Sequence, residues 1–155
     1  MDELRARLTD PDMAALYEYW LKQRHRRRMP ARRDIDPVEL PRQLPNMMLI
    51  DVEQNPLRFR YRLVGTRVVG ASGEDRTGSY FEAVEFFAKN PVVMTQYRRV
   101  VESGEPMFSL EPFKNYVNNT DYQVERLMLP LSSDDASVDM ILVYFSFKSG
   151  PWAAA

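Results

Sequence analysis

The segment from Leu57 to Val64 restricts the fold more than any other, because large apolar residues alternate there with arginines. In an extended strand, a period of two puts successive side chains on opposite faces. The two sets are Phe59, Tyr61 and Leu63 against Arg58, Arg60 and Arg62. We therefore predict a strand of an antiparallel sheet, with one face in the core and the other in contact with water or a partner.

The rest of the sheet is predicted from short apolar runs bounded by turn residues. Met47–Val52 is typical of a strand and Glu53–Pro56 of a turn, so these residues form a hairpin with the alternating segment. Residues 132–136 predict a second turn. Further strands are predicted near residues 106–112, 122–131 and 137–147.

An amphipathic helix is predicted near the N-terminus. Asp10 suits the N-cap and Pro11 the first helical position, while Pro30 prevents continuation of the helix beyond the arginines that follow it. The apolar residues recur at helical spacing and form one stripe: Met13, Leu16, Tyr17, Trp20 and Leu21.

Two more helices are indicated by their end signals. Asn90-Pro91 begins an amphipathic helix, and Gly104 stands at the position that follows a helix end. Asp36-Pro37-Val38-Glu39 has the form of a capping box, which predicts a short helix ending near Pro45. The element order is helix, two strands, a helical middle and three strands.

This order predicts an α+β fold with a five-stranded antiparallel sheet, helices on one face and an N-terminal amphipathic helix before it. We divide the chain into an N-terminal helical arm with an arginine-rich end, one domain and a short tail. Their bounds are residues 1–33, 34–149 and 150–155.

Composition excludes several kinds of chemistry. The chain of 155 residues has no cysteine, which removes disulfides, thiolate nucleophiles and cysteine-ligated metals, and it has one histidine, His25. We expect no metal site.

The longest apolar run, Met140–Phe145, is far shorter than the roughly 20 residues of a membrane span, and no secretory signal is evident. We expect a cytoplasmic protein.

The sequence resembles the bacterial PAS-like domains that occur as small single-domain proteins. The resemblance spans about residues 14–147 and rests on five fragments of the sequence, of which the first is the most specific. These are Met29-Pro30-Ala31-Arg32-Arg33-Asp34-Ile35-Asp36-Pro37, Leu44 to Val52, Phe59 to Thr66, Thr77-Gly78 and Leu127 to Ser132.

The resemblance implies a PAS-like five-stranded sheet, a hollow between sheet and helices, and a non-enzymatic sensory or adaptor role in bacterial signalling. It does not name a cofactor. Flavin photochemistry in light-sensing PAS domains needs a cysteine, which this chain lacks. Haem-sensing PAS domains use an axial histidine, whereas His25 lies in the arm between arginines. We therefore expect neither cysteinyl-flavin chemistry nor haem.

Most of the candidate ligand-pocket residues are apolar or aromatic, and three of them are polar enough to orient a ligand: Arg67, Tyr97 and Gln123. The alternative for the apolar members is plain core packing. The full set is Tyr61, Arg67, Phe81, Phe86, Met94, Tyr97, Gln123, Met128, Met140 and Tyr144.

Candidate interface residues lie on the N-terminal helix and on the outer face of the predicted hairpin. We expect them to mediate homodimerisation or docking to a signalling protein, because a ligand-induced shift needs a second protein to respond to it. They are Leu16, Trp20, Arg24, Arg28, Arg58, Arg60 and Arg62.

Two other functions remain open. Six arginines within residues 24–33 create a positive field that suits a nucleic acid or nucleotide, although the chain as a whole carries a net charge of −1. An enzyme would rely on Asp34, Asp36 or Glu39 for acid–base work, and the two aspartates also suit a divalent cation. Capping and loop ordering explain these carboxylates more simply.

Overall fold

The computed structural model describes residues 2–115 and 120–148, so the predicted tail 150–155 lies outside the described residues. Five α-helices and five strands are present in this part of the chain. In chain order they are α1 (Glu3–Arg7), α2 (Pro11–Gln23), β1 (Met47–Glu53), β2 (Arg58–Val64), α3 (Thr66–Ser72), α4 (Glu85–Lys89), α5 (Pro91–Ser103), β3 (Met107–Asn115), β4 (Thr120–Leu131) and β5 (Met140–Phe147).

The strands form one antiparallel sheet in the order β2-β1-β5-β4-β3, which confirms the predicted sheet. The β1–β2 hairpin has a register shift between Leu49 and Ile50, where β2 contains an extra residue. β4 lies between β5 and β3, and β1 lies between β2 and β5. The first and last strands of the sequence, β1 and β5, therefore pair with each other in the interior of the sheet.

Both long helices begin where their cap residues predict, and α5 also ends there, but α2 ends at Gln23, before the arginines through which it was predicted to run. The Asp10 carboxylate accepts hydrogen bonds from the N–H groups of Asp12 and Met13 at the start of α2. Gly104 follows α5 with φ +66°, a left-handed conformation that favours glycine. The short helix α1, which sequence reasoning missed, is capped by Asp2.

The capping box at Asp36 gives less helix than predicted. Asp36 accepts a hydrogen bond from the Val38 N–H, but the helix is a single 3-10 turn, Pro37–Glu39, rather than one that reaches Pro45. Pro41 disfavours the helical conformation of the residue before it, and Leu40 accordingly leaves the helical region with φ −126°.

The two faces of the sheet carry different helices. α3, α4 and α5 cover one face. The N-terminal helix α2 lies across the other, where the Ser146 hydroxyl of β5 donates to the Asp10 carboxylate at 2.7 Å. The N-terminal arm thus shares one hydrophobic core with the rest of the domain, and that core includes Leu16, Trp20 and Leu127.

Candidate ligand-binding cavity

A cavity of about 290 Å³ lies between the sheet and the helices α3, α4 and α5. β4 and β5 contribute Val124, Arg126, Phe145 and Phe147 to its walls. Native cores hold few voids larger than a water molecule, so a space of this size is a feature to be explained. Its volume lies just below the range for ligand pockets, about 300–1,000 Å³.

Aromatic side chains form one side of the cavity. Tyr61, Phe86, Phe87 and Tyr97 line it, and Phe81 stacks behind Phe87 with ring centroids 4.0 Å apart. Burial raises the pKa of the Tyr97 hydroxyl to about 12 and also raises the pKa of Tyr61. Both hydroxyls are therefore neutral near pH 7 and act as hydrogen-bonding groups rather than bases.

One charged group is buried in this wall. Arg126 of β4 is only 5% exposed, and its guanidinium lies 5.7 Å from the centre of the Tyr97 ring. Its Nη2 donates to the Ser109 hydroxyl at 3.3 Å, to a Glu111 carboxylate oxygen at 3.5 Å and to the Gln96 side-chain carbonyl. Gln96 also donates to Glu111, so three elements, α5, β3 and β4, meet at this guanidinium.

The Nε of Arg126 is buried and has no hydrogen-bond partner among the described residues. A buried donor without a partner costs about 1–3 kcal/mol, and more when the group is charged. Native structures leave few such groups, and each calls for an explanation, such as an ordered water or an ion that supplies the partner. Arg126 lines the cavity, so an acceptor placed in the cavity is within its reach.

A second arginine stands nearer the surface. Arg76 lines the cavity and donates from Nε to Glu74 at 3.1 Å. Ser72 at the end of α3 donates to the main-chain carbonyl of Glu74, which holds the segment after α3 in place. This segment forms a polar margin to a mainly apolar space.

Three of the predicted pocket residues line this cavity: Tyr61, Phe86 and Tyr97. Phe81 and Met128 are fully buried in the core, and Met94 packs against that core, but none of the three reaches the cavity wall. Their contribution is therefore packing behind the wall, which was the alternative for the apolar members of the set.

Four other predicted pocket residues lie elsewhere. Strand alternation places Met140 and Tyr144 on the opposite sheet face from Phe145 and Phe147, since residues one apart point to opposite faces. Burial raises the pKa of the Tyr144 hydroxyl, and the charges of Asp10 and Asp12 at the start of α2 raise it further, while that of Arg67 lowers it. Gln123 is exposed. None of Arg67, Gln123, Met140 and Tyr144 lines the cavity.

Sequence reasoning missed the polar cluster at the cavity, Arg126 with Gln96, Ser109 and Glu111. One signal for it was present. Glu125 and Arg126 are adjacent charged residues inside a predicted strand. Because successive residues point to opposite faces, one of the two must face the side of the sheet that α3, α4 and α5 cover. The other, Glu125, forms an ion pair with Lys148 at 2.6 Å.

The prediction that Leu16 and Trp20 form an interface is not supported by their positions. Each is only 1% exposed, because the apolar stripe of α2 covers the chain's own sheet. Arg24 stacks over the Trp20 indole at 5.7 Å, and Arg28 donates to the Ser103 carbonyl at 3.1 Å. The apolar stripe therefore packs within the chain, and Leu16 and Trp20 are not exposed to a partner.

The arginines of β2 are engaged within the chain. Arg58 lies over the Tyr80 ring at 3.6 Å and pairs with Glu82 at 2.7 Å. Arg60 and Arg62 lie 3.3 and 3.8 Å from the same Asp51 carboxylate oxygen. Residues 78–80 pair with this outer strand at Arg60 and Tyr61, so part of its edge is covered.

The carboxylates considered for catalysis have structural partners. Asp34 accepts a hydrogen bond from the Ala31 N–H, and Glu39 accepts one from the Tyr19 hydroxyl at 2.9 Å. Asp36 caps its 3-10 turn. Across residues 2–115 and 120–148, no group of three or more His, Asp or Glu side chains is arranged to hold a metal ion. No helix in this part of the chain is long and apolar enough to cross a bilayer.

Comparison with known proteins gives a consistent picture. A family model described as the PAS domain matches residues 8–145. Among curated proteins, none matches the chain significantly in sequence. The Rhodobacter sphaeroides LOV protein superposes with a TM-score of 0.56 and 12% identity, over 76% of this chain and 70% of that one.

Two further structures have the same fold. The blue-light photoreceptor Aureochrome1 LOV, in its light state, gives a TM-score of 0.51 at 12% identity, over 75% of this chain and 91% of that chain. An RNA-binding light-oxygen-voltage receptor gives 0.55 at 14% identity over 72% of this chain, which matches only 32% of that receptor's length. At these identities the likeness concerns the fold.

Proposed function

Because the chain belongs to the PAS domain family, we propose that it is a non-enzymatic sensory domain whose cavity binds a small organic ligand. Binding is passed on through a protein partner, either a second copy of the chain or another signalling protein. The observation that carries the proposal is the buried, incompletely paired Arg126 in the wall of an otherwise apolar cavity.

The composition of the walls supports ligand binding over plain packing. Ligand pockets combine apolar and aromatic walls with a few convergent polar groups. Here Phe86, Phe87 and Phe145 supply apolar surface, while Arg126 and Ser109 supply polar groups on one side. A charged group is rarely buried without a reason, since desolvation costs several kcal/mol.

A route for the response runs through β4. Its even-numbered residues Val124 and Arg126 line the cavity, and alternation places Leu127 and Leu129 on the face where α2 lies. Trp20 of α2 donates a hydrogen bond to the main chain of β4. A ligand that shifts β4 therefore also changes the packing of the N-terminal helix.

The arginine-rich segment supports an intramolecular role over nucleic-acid binding. Arg27 donates to the Ser132 carbonyl at 2.7 Å, and Arg32 donates to the Ile35 carbonyl at 2.9 Å. Arg28 donates to the Ser103 carbonyl, so Arg27 and Arg28 hold the arm against the domain, while Arg24 and Arg32 contact neighbouring residues of the arm region itself. We therefore do not assign a nucleic-acid function to this segment.

The test is an absorbance spectrum of the freshly purified protein, followed by denaturing extraction and mass spectrometry of released small molecules. We expect a stoichiometric compound, and its loss in a Val68→Phe variant, because Val68 lines the cavity and the larger ring fills it. Val38→Phe is the matched control, since Val38 is 84% exposed. Equal release from both variants would count against the cavity as the site.

The partner is tested separately by sedimentation velocity of the chain with and without the extracted compound. A shift between monomer and dimer on ligand removal supports a second copy as the partner. An unchanged monomer assigns the response to another signalling protein, which capture on the immobilised, ligand-loaded chain then identifies.

A further inference from the structure

We infer that the ligand of this cavity carries a carboxylate, which binds the Arg126 guanidinium in the place now held by Glu111. The inference rests on the proposed function and adds the chemical class of the ligand. It is based on the hydrogen-bonding capacity of Arg126, on the unequal exposure of the two charged partners and on the volume and lining of the remaining space.

Arg126 has more donors than its neighbours use. A guanidinium carries five N–H donors, but the hydrogen bonds to Gln96, Ser109 and Glu111 all leave from Nη2. The buried Nε has no partner among the described residues. What the site lacks is acceptors, and a carboxylate offers two of them in the geometry that matches the arginine fork.

Arg126 holds Glu111 only weakly in the acceptor position. Its carboxylate oxygen lies 3.5 Å from Nη2, which is at the long limit for a hydrogen bond. The Glu111 side chain is 27% exposed, whereas that of Arg126 is 6% exposed. Glu111, which also accepts a hydrogen bond from Gln96, can therefore turn towards water more easily than Arg126 can leave the cavity wall.

Exchange of carboxylates keeps the buried charge balanced. An anion added to the present Arg126–Glu111 pair would leave one negative charge uncompensated in a poorly solvated space, which is costly. An anion that displaces Glu111 forms a new one-to-one pair with Arg126, and the displaced carboxylate regains its hydration. Gln96, which bonds both partners, is placed to accompany the exchange.

The cavity also limits the rest of the ligand. Apart from the Arg126 cluster and the polar margin around Glu74 and Arg76, the walls are mainly apolar, with Tyr61, Phe87, Val93 and Phe145 among them, and the volume is only about 290 Å³. A body that fills such a space is a single ring or a short branched chain without further charge. The ligand class is therefore a compact apolar monocarboxylic acid.

Isothermal titration calorimetry with benzoate and benzamide tests the inference on the full chain, after removal of any bound compound. The two probes share size and shape and differ in the charged carboxylate. We expect benzoate to bind at least about tenfold more tightly than benzamide. Glu111→Gln removes the internal competitor, so it tightens benzoate binding at least threefold and leaves benzamide binding unchanged.

Two further variants complete the design. Arg126→Lys keeps the positive charge but loses the planar guanidinium that binds a carboxylate with two parallel hydrogen bonds. We expect it to weaken benzoate binding at least tenfold. Glu102→Gln on the exposed side of α5 is the matched control for the charge change in Glu111→Gln, and it should alter neither affinity. If Arg126→Lys does not fold, the Glu111→Gln result alone decides.

Equal affinities for the two probes would overturn the carboxylate and leave the proposed cavity function intact. Benzoate binding that Glu111→Gln fails to strengthen would overturn the exchange. Binding of neither probe would also overturn the inference, and the proposed function would then depend on the extraction experiment, which uses no chosen probe.

Discussion

The indole Nε1 of Trp20 donates a hydrogen bond of 2.9 Å to the main-chain carbonyl of Pro130. This bond joins α2 to β4 at a point where β4 has no strand neighbour on that side among residues 2–115 and 120–148, because β3 pairs with β4 only as far as Met128. The Ser132 N–H likewise donates to the Pro30 carbonyl. The N-terminal arm therefore replaces a missing strand partner.

Trp20→Phe tests this junction. The substitution removes the donor and part of the buried ring, so it leaves the Pro130 carbonyl unpaired and a small cavity under α2. We expect the free energy of unfolding to fall by about 2–4 kcal/mol. Urea denaturation measures it, with the exposed Val38→Ala as control. A loss below about 0.5 kcal/mol would show that the bond is dispensable.

Asp135 tethers the middle of the arginine-rich segment to the β4–β5 turn. Its carboxylate accepts hydrogen bonds from the N–H groups of Arg28 and Met29, and its own φ is +61°. Asp135→Ala loses both bonds in a backbone conformation that alanine disfavours, so we expect a loss of about 1–3 kcal/mol. Asp135→Asn retains an acceptor and tolerates this φ, so thermal unfolding should separate the two variants. Equal melting temperatures would contradict the tether.

The buried hydroxyl of Tyr97 predicts a loss of stability at high pH. Its pKa is about 12 in the folded chain because of burial, against about 10 when unfolded. The unfolded chain loses this proton first, so the stabilising contribution is complete below pH 10 and disappears as pH rises towards 12. We expect it to amount to about 2–3 kcal/mol.

Tyr97→Phe isolates this contribution from those of other tyrosines with raised pKa values. Between pH 10 and pH 12, unfolding free energy from urea titrations should fall less steeply in Tyr97→Phe than in the original chain. Parallel curves for the two proteins would mean that Tyr97 does not titrate with unfolding in this range.

Two glycines should differ in their response to alanine. At Gly65 a methyl group would meet the main-chain carbonyl oxygens of Pro45 and Leu44 at 2.4 and 2.5 Å, and main chain cannot easily yield. At Gly104 the close atom is the flexible end of Arg28, so the cost comes mainly from φ +66°.

We expect Gly65→Ala to lower the unfolding free energy by more than about 2 kcal/mol, and Gly104→Ala by about 1–2 kcal/mol. Chemical denaturation of the two variants side by side measures the difference. The reverse order of stability would show that the segment 44–46 moves aside more readily than its contacts indicate.

Local features of the fold were predictable because the interactions that cause them are local. The caps at Asp10 and Gly104 act within one helical turn, and the β1–β2 hairpin depends on neighbouring residues. The orientation of Met140 was not predictable in this way. It depends on the parity at which β5 joins the sheet, and that is set by pairing with β1 and β4.

The polar cluster of the cavity was missed for a related reason. Gln96, Glu111 and Arg126 come from three elements, and their meeting depends on how α5 packs on β3 and β4.

The apolar stripe of α2 raises a different problem. Its apolar residues predict burial, but the pattern of Leu16 and Trp20 is the same whether the surface they cover belongs to the same chain or to another.

The two faces of β4 have different roles, and this restricts where residues can be inserted or deleted. Because Arg126 serves the cavity and Leu127 serves the N-terminal helix, insertion or deletion of one residue within β4 would exchange these roles for every residue beyond it. A charged side chain would then enter the core under α2, and leucine would replace it at the cavity. Among relatives with this architecture, we expect length changes in turns such as residues 132–139, and an undivided β4.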